Sequence, residues 1–108
     1  MKPSTRQRFV ALRFDYPAAA EEERIVANEA QVDAALAAQV VKLGQALRRL
    51  EQHDLEEVAS TRLLIFAARM IRSGMTPREA CLACLAEPLS DDPQTVAALM
   101  GVVDVHFA

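Results

Sequence analysis

The sequence predicts a mainly α-helical fold, five helices following a single N-terminal strand. Three observations carry that expectation. The 108 residues are 52% apolar yet only 5% aromatic with 3 glycines, a mixture that favours packed helices over strands. Apolar residues recur at helical spacing in most segments. Helix-start signals appear three times, as Ser60, as the Thr76-Pro77-Arg78-Glu79 run and as Asp92-Pro93. A chain of this length forms one cohesive core.

The strand comes first. Residues 8–16, RFVALRFDY, alternate so that Val10, Leu12, Phe14 and Tyr16 share one face. No other segment reads this way, so the strand is an orphan whose backbone groups need partners from another chain or from sheet outside this sequence. That points to a fragment.

Pro17 suits the first position of α1, and Glu21, Glu22 and Glu23 put negative charge where the helix dipole favours it. The helix is expected to run to about Glu29. A second helix should begin near Asp33, with Leu36, Val40, Leu43, Leu47 and Leu50 as its core stripe. Its opposite face carries Lys42, Gln45, Arg48 and Arg49 and reads as solvated surface. HDLEEVA, residues 53–59, reads as a connecting loop.

Ser60 is placed to cap a third helix, and Gly74 stands where a left-handed residue would end it. Leu63 to Ala68 cover every direction around the axis, so this helix is expected to be the buried centre. The fourth begins with a capping box, Thr76 as cap and Glu79 reaching back, and turns Ala80, Cys81, Cys84 and Leu85 inward. Asp92 caps the fifth, whose stripe is Val96, Leu99, Met100 and Val103.

Several functions are excluded at this level. A formal charge of −3 opposes broad nucleic-acid binding, which needs clustered surplus cations. No apolar run reaches the roughly 20 residues that span a bilayer, and residues 1–15 carry no signal-peptide block, so the expectation is cytoplasmic without membrane contact. The two cysteines of CLAC, Cys81 and Cys84, could form a redox pair or a zinc half-site, but His53 and His106 lie in unrelated segments. They read as small core residues, and no metal site is expected. No glycine-rich phosphate loop and no nucleophile coupled to a base is present, so independent catalysis is not expected.

One residue stands out. Arg62 is the second residue of the third helix, beside unpaired amide groups and the positive end of the dipole, where a cation gains only if an anion arrives. Its fork could bind phosphate in two places at once. Glu56 and Glu57, just upstream, offer a plain salt bridge instead.

The order KPSTRQRFVALRFDYP, then DLEEVASTRLLIFAARMI, then TPREACLACLAEPLSDDP resembles the C-terminal portion of the CbbQ/NirQ/NorQ family of MoxR-type AAA+ ATPases, from about Lys2 to Phe107. The resemblance implies that residues 1–16 are the arginine-finger segment and last strand of an α/β core, and residues 17–108 a helical lid. Within STR, Arg62 would then be the sensor 2 arginine, with Ser60 and Thr61 beside it at the nucleotide. In STRQRF, Arg8 would be the arginine finger and Arg6 a second candidate, acting on ATP held by a neighbouring ring subunit. Such a finger is worth about 10³ to 10⁵ in rate in other nucleotide hydrolases. The family pattern has a glycine near Val58, where this chain is β-branched.

The cofactors implied are ATP and magnesium, in the complete protein only, because Walker A, Walker B and sensor 1 would lie upstream of Met1. The partners implied are the upstream core, ring neighbours, a protein with a von Willebrand factor A domain, and a metalloenzyme target, either Rubisco or a denitrification enzyme such as nitric oxide reductase. The alternative is a free-standing helical adaptor that self-associates through its exposed strand; the fragment is expected to associate there in either case.

Overall fold

The computed structural model describes residues 16–49 and 59–107. The expected strand, apart from Tyr16, and the two finger candidates Arg6 and Arg8 lie outside the described residues, as do Leu50, Glu56, Glu57 and Val58.

Five helices make up the described chain: α1 (Ala19–Ala30), α2 (Ala34–Arg49), α3 (Thr61–Arg72), a broken α4, and α5 (Pro93–His106). The mainly helical fold expected from composition and periodicity is what the chain adopts. Helices α1, α2 and α3 pack on one another, α4 lies against α3 and α5, and α5 closes onto α2. Their shared core holds Val26, Val40, Leu43, Leu47, Leu64, Leu85, Leu89, Leu99 and Val103, each at most 1% exposed.

Most helix ends follow from side-chain chemistry. The Leu36 amide donates to Asp33 Oδ1 at 2.8 Å, so Asp33 opens α2. The Thr76 box is complete: the Glu79 amide donates to Thr76 Oγ1 at 3.1 Å and the Thr76 amide to Glu79 Oε1 at 3.3 Å. Asp92 accepts from the Gln94 amide and from the Thr95 hydroxyl, which holds the first turn of α5. At the other end of α3, Met75 and Gly74 donate to the carbonyls of Met70 and Ile71, and Gly74 takes a φ of 119°, which a residue with a Cβ adopts only under strain. Helix α1 starts at Ala19, two residues after Pro17, because Ala18 stays extended with ψ at 151°. It ends on a left-handed Gln31, φ 58°, whose amide donates to Ala27.

Helix α3 is not the all-round buried rod its composition suggested. Leu64, Ala67 and Ala68 are buried, but Phe66 is 41% and Met70 37% exposed. The reason is position: α1 and α2 flank α3 on one side and α4 covers part of the rest, so Arg62, Phe66 and Met70, four residues apart, face outward together. The approach on the inner side is tight. A Cβ built on Gly44 of α2 would lie 2.6 Å from Leu64 Cδ1, closer than two carbons can sit, so the bare glycine is what lets α2 and α3 meet there.

Helix α4 runs from Pro77–Cys81 through a π-helical segment, Leu82–Ala86, to a last turn, Glu87–Leu89. The widened turn has a local cause. Pro88 has no amide to donate and its ring would press on the carbonyl four residues back; the Glu87 amide reaches five residues back to Leu82 instead.

Candidate functional site

The start of α3 is the end of the molecule to which the sequence directed attention. Ser60 is extended, φ −75° and ψ 161°, and its Oγ accepts from the Leu63 amide at 3.3 Å, the cap its position implied. Thr61 follows, its hydroxyl donating to Glu22 Oε2 at 2.7 Å. Both hydroxyls are therefore engaged within the chain. Arg62 is exposed, and among the described residues no carboxylate or carbonyl pairs with it. Its guanidinium leaves a helix whose first two amides are not consumed by the helix itself.

What sequence reading missed is how this end is held. Glu22 of α1 is fully buried, and it meets Arg48 of α2 in a two-pronged ion pair, Nη1 to Oε1 at 2.9 Å and Nη2 to Oε2 at 2.6 Å. Arg48 Nε donates to the Ala59 carbonyl at 2.8 Å, at the threshold of α3. Its guanidinium carbon also lies over the Tyr16 ring, 3.7 Å from the centroid. With only 10% of its side chain exposed, Arg48 is no part of a solvated face. One charge pair thus joins the chain ahead of α1, α1, the end of α2 and the start of α3.

The electrostatics agree with that geometry. Burial works to raise the Glu22 pKa, but hydrogen bonds from Arg48 and Thr61 and the Arg48 charge outweigh it and hold the carboxyl below its ordinary value. The carboxylate is the stable form. A signal for both residues was in the sequence. Glu22 stands in register with Val26 and Ala30, the buried stripe of α1, and Arg48 continues the line of Val41 and Gly44 on α2. A charge on an apolar stripe needs a buried partner.

The cysteines offer no reactive alternative. Burial, with a smaller contribution from Cys84, pushes the Cys81 thiol up to about 12, and burial raises Cys84 as well. Thiolate is disfavoured at both. Among the described residues no group of three or more His, Cys, Asp or Glu side chains could hold a metal ion, and no helix is long and apolar enough to cross a membrane. His106 closes α5, its Nδ1 lying 3.0 Å from the Val102 carbonyl.

Residues 22–106 match the family model described as CbbQ/NirQ/NorQ C-terminal. The chain belongs to the CbbQ/NirQ/NorQ family. Among its relatives, the denitrification regulatory protein NirQ of Stutzerimonas stutzeri is 94% identical over 107 residues, 99% of this chain and 39% of that protein. NirQ of Pseudomonas aeruginosa is 73% identical across 100% of this chain and 42% of its own length. Protein CbbQ of Hydrogenophilus thermoluteolus is 44% identical, again across 100% of this chain, and covered over 40% of its length. The chain thus spans about two fifths of the length of these CbbQ/NirQ/NorQ relatives, matching the C-terminal part.

Proposed function

We propose that this chain is the helical lid of a MoxR-type AAA+ ATPase, and that Arg62 is its sensor 2 arginine, contacting the terminal phosphate of bound ATP. The observation that carries the reading is Arg62 itself: an exposed guanidinium without an internal partner among the described residues, at the start of a helix whose cap and first turn are tied down by Ser60 and Thr61. Nothing in the described fold uses that charge. An anion brought to it meets a two-pronged donor and the field of the α3 terminus together.

In this reading residues 17–108 form the lid, and residues 1–16 join it to the ATPase core, with Arg8, and Arg6 as second candidate, reaching the nucleotide of the neighbouring ring subunit. Ser60 and Thr61 shape the start of α3 at the nucleotide. Among the described residues no group of three or more His, Cys, Asp or Glu side chains gathers, and in this reading magnesium is held with ATP by the core. ATP supplies the free energy, while the lid reads whether its terminal phosphate is present.

High identity to two proteins named for the regulation of denitrification, against 44% to CbbQ, favours a denitrification metalloenzyme over Rubisco as target. Nitric oxide reductase, with a von Willebrand factor A domain protein as co-factor of the remodelling, fits that choice. The reading places the protein in the cytoplasm.

The test is Arg62→Ala in an ATPase of the relatives' full length. Turnover should fall at least about 10-fold, while stability shifts by no more than about 0.5 kcal/mol, as for other exposed substitutions. Unchanged turnover would overturn the assignment.

A further inference from the structure

We infer that Arg48 is a positioning residue for Arg62, and that with Glu22 and Thr61 it sets the angle at which α3 presents that guanidinium. The inference rests on the phosphate-reading role of Arg62 proposed above. It adds the means by which that role is aimed.

The geometry points this way because of where the ion pair spends its hydrogen bonds. A salt bridge needed only to join α1 to α2 would stop at the two oxygens of Glu22. Arg48 instead sends Nε to the Ala59 carbonyl, and Glu22 takes a third donor, the Thr61 hydroxyl. Ala59 and Thr61 bracket the cap residue Ser60, and Arg62 is next in the chain. The last three residues before the phosphate-reading arginine are thus pinned on both sides to one buried charge pair. That pair is covered in turn by Tyr16, at the end of the segment that leads into α1. A displacement of that segment acts on the Arg48 plane, and the plane is fixed to the base of Arg62.

Lysine cannot substitute for this function. It keeps the charge, but a single ammonium group cannot reproduce two parallel bonds to a carboxylate, a third to a carbonyl and a guanidinium carbon over a ring. The clamp therefore separates aiming from charge, which gives the test.

Four versions of the ATPase at the relatives' full length are compared by steady-state ATP turnover: unmodified, Arg62→Ala, Arg48→Lys, and both together. Arg48→Lys should lower kcat by about 10- to 100-fold with a smaller effect on KM for ATP, since misplacing a contacting group by about 1 Å costs on that order. In the Arg62→Ala background the same change should cost less than about 2-fold, within the scatter of independent effects. An equal loss in both backgrounds would mean that Arg48 supports the fold alone, and would overturn the inference while leaving Arg62 in place. No loss from Arg62→Ala itself overturns the reading of Arg62 and this inference with it. Should Arg48→Lys fail to fold, Thr61→Val keeps the ion pair and removes one hydrogen bond; its loss of kcat should again vanish without Arg62, and persistence there overturns the proposal.

Discussion

Among the described residues, two arginine–carboxylate pairs bridge helices, and they share little beyond their chemistry. Glu22 and Arg48 meet across α1 and α2 with the carboxylate fully buried, while Arg78 and Asp104 meet across α4 and α5 at 3.0 Å with side chains 61% and 51% exposed. Water competes for every bond of the second pair and for almost none of the first. Burial makes the first pair costly to break, because removing one partner strands a charge in a low-dielectric interior. The second pair can come apart into solvent at little cost. Distance alone would have ranked them as near equals.

That contrast can be broken most severely with Arg48→Ala, which leaves Glu22 buried and unpaired. The loss should be about 3 to 5 kcal/mol, read from chemical denaturation of the chain. A loss near 1 kcal/mol would mean that water reaches Glu22 after all. The same distinction between inside and outside applies to apolar residues two apart on α3. Leu64→Ala should cost about 2 to 5 kcal/mol, whereas Phe66→Ala, on the open face, should cost under about 1 kcal/mol. Equal costs would show that something covers Phe66 in solution.

Acid sharpens the comparison. The Glu22 carboxyl titrates below its ordinary value in the fold, so its contribution is complete above the unfolded carboxylate range and is lost as pH falls through the depressed folded value. Stability should therefore decline with acidification below about pH 4.5, and Glu22→Gln should flatten that decline. A slope the same in both proteins would assign the acid sensitivity to other carboxylates. The smallest effect expected is from Arg78→Ala, under about 1 kcal/mol and shrinking further in salt. Thermal melts at two ionic strengths would check it.

Much of the fold was legible because local chemistry fixed it. Ser60, Thr76 with Glu79, and Asp92 each cap a helix through bonds no more than three residues long, and such bonds are written in the sequence. The stripes of α2 and α5 were equally readable, since one period of 3.6 decides them. Arg48 was missed although it continues the buried line of Val41 and Gly44, because its partner lies 26 residues away and it was grouped with Lys42 and Arg49, which do face solvent. Phe66 was misjudged for a related reason: six apolar residues in a row establish greasiness but not how many neighbours come to cover it. The π-helical segment had a visible cause in Pro88, yet the remedy depends on how Leu82 and Glu87 pack. Of the candidate site, Arg62 was singled out from sequence, and the pairing of Glu22 with Arg48 behind it emerged from the fold.

The missing side chain at Gly44 has a mutational corollary. Because a single methyl there would run into the Leu64 side chain, alanine at 44 requires Leu64 to shift or shrink, whereas Leu64 can shrink with the glycine left in place. The two positions are therefore unequal in what they tolerate: bulk can leave 64 without disturbing the crossing of α2 and α3, while bulk added at 44 must displace the Leu64 side chain.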